Sequence, residues 1–187
     1  METLLQYIKE IVAVTPEDEK IITSYFHEKE VKKNENLLNQ SQICRNLYFI
    51  KSGLLHTYYL HDGRIVSSWF YNENDIMTSW YSFLTQDPGY EFIQALEDSV
   101  VYSISQSDLL EVYRVVPSME RFGRILMEGQ LAFIERFNKG YMFMSAKEKY
   151  DLLCEYVPDI TLRVKLGLIA SFLGISQETL SRIRAQK

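Results

Sequence analysis

The chain has 187 residues, 47% of them apolar, and a net charge of −5, which is enough to bury a sizeable core and excludes wholesale disorder. Its apolar runs fall short of the roughly 18–20 residues that a membrane span needs, and Met1-Glu2-Thr3-Leu4-Leu5 lacks a basic signal-peptide region. Cys44 and Cys154 alone make neither a disulfide framework nor a four-ligand metal set, so a reduced, cytoplasmic protein without a membrane partner is expected.

Thr15-Pro16-Glu17-Asp18 opens a helix, with a hydroxyl cap, proline at the first helical position and acids in the positive first turn. Ile21, Ile22, Tyr25 and Phe26 share one face of it. From about Val31 to Ile104 the pattern is that of short strands. Leu47–Ile50 leads to Gly53, Leu54–Leu60 follows, and Ile65–Tyr71 comes after Asp62-Gly63, a strong signal for a type I′ hairpin turn. Val100–Ile104 reads as a closing strand. The sum is an antiparallel roll or small barrel. Within it, Trp69, Phe70, Tyr71, Trp80, Tyr81 and Phe83 are either core or the walls of an apolar effector pocket.

Ser107-Asp108 caps a short helix through Tyr113, and Pro117-Ser118 opens a longer one. Met119, Phe122, Leu126, Gly129, Phe133, Phe137, Gly140 and Met144 follow at steps of three or four. Two readings of this stripe stand: pairing with a twin across a dimer axis through Phe122, Leu126, Gly129, Phe133 and Phe137, or packing on the roll of the same chain. Helix resumes at Ser145 and breaks at Tyr156-Val157-Pro158-Asp159.

Residues Leu166–Ala185 read LGLIASFLGISQETLSRIRA. Two helices meeting steeply through a short turn need a small residue at the contact, which Ala170 supplies. They need a residue of positive φ where the first helix stops, which is Gly174. Ile169, Leu173, Ile175, Leu180 and Ile183 fill the angle, Ser176 caps the second helix and Glu178 sits in its first turn. This is the helix-turn-helix pattern, against the alternative of a helical hairpin with no nucleic-acid role. The second helix carries Gln177, Thr179, Ser181, Arg182, Arg184 and Lys187, chemistry suited to base edges and phosphates. The charge distribution agrees: residues 145–187 hold seven basic and five acidic side chains, residues 1–144 hold 13 and 20.

The segment Ile169–Arg184, together with Phe49-Ile50-Lys51-Ser52-Gly53-Leu54-Leu55, Asp62-Gly63 and Ala95-Leu96-Glu97-Asp98-Ser99, resembles the Crp/Fnr superfamily of bacterial transcription regulators. The resemblance runs end to end. It implies an α+β fold in three segments: residues 1–116 as a cyclic-nucleotide-binding-like sensor roll, 117–144 as a dimerisation helix, and 145–187 as a winged helix-turn-helix. It places Gln177, Glu178 and Arg182 at bases and Thr179 and Ser181 at the DNA backbone, with Ser176, Arg184 and Lys187 beside them. The implied partners are double-stranded DNA bearing an inverted repeat, a second copy of the chain, and RNA polymerase. A wing, in reduced form, has room only before Leu166, at Pro158–Arg163.

One departure concerns the effector. Members of the family that bind cyclic nucleotide carry Gly-Glu followed by Arg-Ser or Arg-Thr, the arginine neutralising the phosphate. Here those places are assigned to Asn74-Asp75 and Gly89-Tyr90. An effector pocket is therefore expected around Asp75, Ile76, Tyr90, Glu91, Trp69 and Trp80, with cAMP and cGMP disfavoured because Glu91 repels phosphate and no arginine is near. An unknown small-molecule effector fits; no cofactor is predicted. His56 and His61 read as solvated residues around the hairpin. Enzyme motifs such as Gly-x-Ser-x-Gly and His-Glu-x-x-His are missing, so catalysis is not expected. The sequence leaves two rival functions open: an effector-sensing module that works through protein contacts with vestigial DNA binding, and a ligand-binding or catalytic roll active as residues 1–144 alone.

Overall fold

The computed structural model describes residues 1–185. Helices α1 (Glu2–Ile11) and α2 (Pro16–Tyr25) come first. The second starts as its sequence dictates: Thr15 Oγ1 accepts from the Asp18 N–H while the Asp18 carboxylate accepts from the Thr15 N–H. The first carries no side-chain cap to announce it in the sequence; Leu4 and Ile8, one turn apart, anchor it in the core.

Two four-stranded antiparallel sheets enclose the main core. One runs β1 (His27–Val31), β8 (Ser99–Ser105), β3 (Asn46–Ser52), β6 (Ile76–Met77); the other runs β2 (Asn36–Leu38), β7 (Phe92–Ala95), β4 (Leu55–His61), β5 (Arg64–Tyr71). The β4–β5 hairpin turns at Asp62 and Gly63, with φ of 50° and 72°, as a type I′ turn requires. Along this hairpin Thr57 pairs with Trp69 but Tyr58 pairs with Ser67, so Ser68 is the extra residue of a β-bulge. His56 corrects the expectation of a solvated turn residue. It is fully buried in β4, stacked between Tyr58 and Phe70, with Nδ1 3.3 Å from Ser67 Oγ and Nε2 3.4 Å from Gln94 Oε1.

Helix α3 (Trp80–Thr85) bridges β6 and β7, and α4 (Gln106–Val115) follows β8. Its cap is Ser105 rather than Ser107. The strand runs straight into the helix, and Ser105, still extended, is the residue whose hydroxyl meets the Asp108 N–H. Then come α5 (Pro117–Tyr141), α6 (Ala146–Tyr156), α7 (Ile160–Arg163), α8 (Leu166–Leu173) and α9 (Gln177–Ala185). Among the described residues no strand follows β8. The reduced wing expected at Pro158–Arg163 is instead the helical turn α7, entered through Asp159 at φ 61°.

The stripe on α5 is used within the chain. Phe122 joins the main core, Leu126 packs beside it, and Phe133 and Phe137 meet the Trp69 ring edge-on at 5.3 and 5.2 Å. Phe122, Phe133 and Phe137, expected at a dimer seam, thus make contacts within the chain, Phe133 and Phe137 staying half-buried; Gly129 borders open space. Left exposed on the adjoining face of the same helix are Leu131 (64%) and Ile134 (43%). A second core joins the roll to the C-terminal helices: Leu54, Phe70 and Leu96 from the roll pack with Tyr150, Leu153, Ile160, Ile169 and Leu173.

Candidate nucleic-acid interface and effector cavity

Helices α8 and α9 meet through Gly174, which adopts φ 68° and whose N–H returns to the Ser171 carbonyl. Ala170, Ile169, Leu173, Leu180 and Ile183 are buried between them. Ser176 Oγ accepts from the Thr179 N–H at 3.2 Å, capping α9. With Leu180 and Ile183 turned inward, a helix of 3.6 residues per turn puts Glu178, Ser181 and Arg182 on the outer face, and all three are exposed. Gln177 and Arg184 lie on one flank, also exposed. The Gln177 amide reaches back over Gly167 of α8. Thr179 lies on the other flank, where its hydroxyl accepts from Arg182 Nη2 at 3.3 Å. Lys187 falls outside the described residues.

Besides the second core, this pair of helices and the α7 turn before it are fastened to the roll at three points. Arg163 of α7 grips two carboxylates: Nη1 and Nη2 reach Glu73 at 3.0 and 2.8 Å, and Nη2 and Nε reach Glu97 at 2.5 and 3.3 Å. Glu73 also accepts from the Gly53 N–H at 2.8 Å. Burial works against its charge, yet the bonds from Arg163 and the backbone hold its carboxyl below the ordinary value. At the second point Ser171 Oγ of α8 accepts from the Ser67 N–H, beside the bulge, at 3.2 Å. At the third, Phe172 of α8 sits 5.5 Å from Trp69 and 5.7 Å from Phe70.

Between the roll and α5 lies a cavity of about 350 Å³. Ser68 and Trp69, consecutive in β5, both line it, because the bulge breaks the alternation that would send one of them away. Trp80, Tyr90 and Glu91 line it too, together with Tyr71, Tyr81, Phe133 and Phe137. Glu91 is largely buried, which raises its pKa, against the opposing hydrogen bond from Ser79 Oγ at 2.9 Å. The indole N–H of Trp80 is buried without an acceptor among the described residues. The Ser68 hydroxyl lies close enough to favour the Glu91 charge, but is not in hydrogen-bond geometry with any partner.

Four of the six expected pocket residues thus converge, and two do not. Asp75 and Ile76 border a smaller space of about 190 Å³ with Trp69 and Tyr156. The Asp75 carboxylate closes a turn, accepting from the Asn72 N–H at 2.8 Å. Burial lifts its pKa to about 6, with Glu73 adding to the rise. The polar lining missed from sequence is Thr57, Ser68, Thr78, Gln130 and Asn138, drawn from four separate elements or loops. The only local hint was the polar pair Ser67-Ser68 inside an otherwise apolar strand.

Residues 28–115 match the family model for the cyclic nucleotide-binding domain. Solved structures of similar fold include a variant of CooA from Carboxydothermus hydrogenoformans, 18% identical over 88% of this chain and 77% of that one, with a TM-score of 0.67. The catabolite activator protein of Thermus thermophilus is 19% identical over 93% and 84%, with a TM-score of 0.57. A transcriptional regulator of the Crp/Fnr family from Eubacterium rectale is 20% identical over 91% and 82%, with a TM-score of 0.68. No curated protein matches the sequence. The antiparallel roll, the long helix and the C-terminal helices together make the fold of these regulators.

Proposed function

We propose that this chain, built on the fold of the Crp/Fnr regulators, is a transcription regulator that reads double-stranded DNA through α9. The observation that carries the reading is the free outer face of that helix, with Glu178, Ser181 and Arg182 exposed on a frame held by buried Leu180 and Ile183. Arg182 offers a forked donor to guanine O6 and N7, Gln177 suits adenine, and Ser176, Thr179 and Arg184 suit phosphates. The regulator works in the cytoplasm as a homodimer. Its α5 helices meet along Met127, Leu131 and Ile134, and two copies of α9 enter successive major grooves about 34 Å apart on an inverted repeat. RNA polymerase is the further partner when it activates. No catalytic activity is assigned.

The roll acts as the sensor, and the cavity against α5 is where an effector sits. Trp69 lines that cavity and also touches Phe133 and Phe137 of α5, Tyr156 of α6 and Phe172 of α8. An effector that binds one placement of these rings better than another shifts the DNA-binding helices by that difference in affinity. Cyclic nucleotides are not the effector: the cavity presents the Glu91 carboxylate and, among its lining residues, no cation to a phosphate. Calorimetric titration at micromolar cAMP gives no saturable heat on this account, and saturable binding contradicts it.

The test of DNA reading is selection from a pool of random duplexes by the full chain at moderate salt, followed by sequencing of the retained fraction. One inverted repeat is expected. Enrichment of nothing by folded dimer, with and without cell-extracted small molecules, supports instead a module that acts through protein contacts.

A further inference from the structure

We propose that the cavity between the roll and α5 takes an organic cation, an ammonium or amidinium group on a small apolar or aromatic body. The inference rests on the reading of this cavity as the sensor site and names the chemistry of its ligand. Its volume of about 350 Å³ is that of a small-molecule site. Three features select the charge.

First, the walls are rings. Trp69, Tyr71, Trp80, Tyr81, Phe133 and Phe137 all border the space. Aromatic faces carry partial negative charge and attract cations, most strongly where water is excluded. Second, the formal charge on the lining is negative and single. Glu91 is there, and no Lys, Arg or His is among the lining residues. A carboxylate taken out of water calls for a proton or a cation, and Ser79 supplies it with only a neutral donor. An anion in this space would face Glu91 unneutralised, whereas an ammonium would give it the partner it lacks. Third, the hydroxyls of Thr57, Ser68 and Thr78 and the amides of Gln130 and Asn138 can accept hydrogen bonds from the N–H groups of such a ligand, leaving the donor-only Trp80 indole N–H for an acceptor on the ligand's body. The bulge at Ser68 brings one of these hydroxyls and the Trp69 ring to the same wall.

The protein carries its own reporter. It has two tryptophans, and both line the cavity. Indole fluorescence of the full chain is titrated with four aromatic probes of similar size: benzyltrimethylammonium, phenethylamine, benzyl alcohol and phenylacetate. The two cations are expected to change the signal saturably and to bind roughly tenfold or more tighter than the alcohol, with phenylacetate weakest. Glu91→Gln, an isosteric change that removes a desolvated charge, is expected to shrink the preference for cations to what the rings alone supply. Because the wild-type charge series stands without that variant, a poorly folded Glu91→Gln does not rescue the idea. If the alcohol or phenylacetate binds as tightly as the cations, the cation class is overturned while the cavity stays a ligand site. If no probe of any charge changes the signal, the sensor reading of the cavity falls with it.

Discussion

Arg163 is where the C-terminal helices are tied to the roll by charge, and Arg163→Ala cuts both ties at once. Its guanidinium makes two forked contacts, with Glu73 at 3.0 and 2.8 Å and with Glu97 at 2.5 and 3.3 Å. An exposed ion pair contributes about 0.2–1 kcal/mol, while removing one partner of a fully buried pair costs about 3–5 kcal/mol. Here Arg163 is 21% exposed and the carboxylates 37% and 33%, so solvent screens part of the interaction. A loss of about 2 kcal/mol follows, which for a chain of this size lowers Tm by roughly 4–8 °C. Two carboxylates left facing each other without a counter-charge account for much of it. Because Glu73 has its pKa lowered on folding, the stabilisation is present above its unfolded value of 4.5 and is lost as pH falls through the folded value. The assay is urea unfolding of wild type, Arg163→Ala, Glu73→Gln and the double variant, at low and high salt. A coupling of about 1 kcal/mol or more that shrinks with salt is expected. A fall in stability below about 0.5 kcal/mol, or additive effects, would refute the tie.

Gly174→Ala meets open space, so its cost is only the left-handed backbone: about 1 kcal/mol, or a Tm lower by roughly 2–4 °C, read by calorimetry. A loss above about 3 kcal/mol would mean that the turn is packed rather than merely bent. His56, its pKa lowered by burial to about 4, stays neutral in ring-carbon NMR spectra at pH 6, and titration near 6.5 would contradict its burial. The sign follows: the unfolded chain takes up this proton first, so His56 costs stability as pH falls from 6.5 to about 4. Asp75, raised to about 6, works in the opposite sense between 6 and 3.8, so bulk stability partly hides the effect. Leu131→Asp with Ile134→Asp halves the mass seen by sedimentation and leaves the monomer folded; an unchanged mass would remove this face from the dimer.

The parts of the fold that could be read in advance are those specified by neighbours in sequence. Asp62-Gly63 set its turn, Thr15-Pro16 its cap, and Gly174 its helix end, because each depends on a few adjacent residues. What could not be read depends on partners far along the chain. Arg163 meets Glu73 across 90 residues, and neither carries a local mark. The α5 stripe at 122, 126, 133 and 137 was visible, but periodicity shows only that a face is covered, not what covers it; Trp69 does so. His56 lies near a turn in sequence yet inside the sheet, where β4 is buried throughout Leu55–Tyr58 by the strands and rings packed on it. The motif that assigns Asp75 to the pocket carries no sign that the turn from Asn72 claims its carboxylate, beside a smaller space.

In the proposed function the outer face of α9 reads bases. Fluorescence anisotropy of wild type and Arg182→Ala against the selected inverted repeat and a shuffled duplex, at one salt concentration, tests it most directly. Arg182 is exposed and bonds only to Thr179 within the described residues, so its loss leaves the fold intact. The prediction is a loss of about 1–3 kcal/mol on the repeat, roughly tenfold to a hundredfold, with little change on the shuffled duplex. Equal affinity of the two proteins for the repeat, or no preference of the wild type for it, would contradict the account.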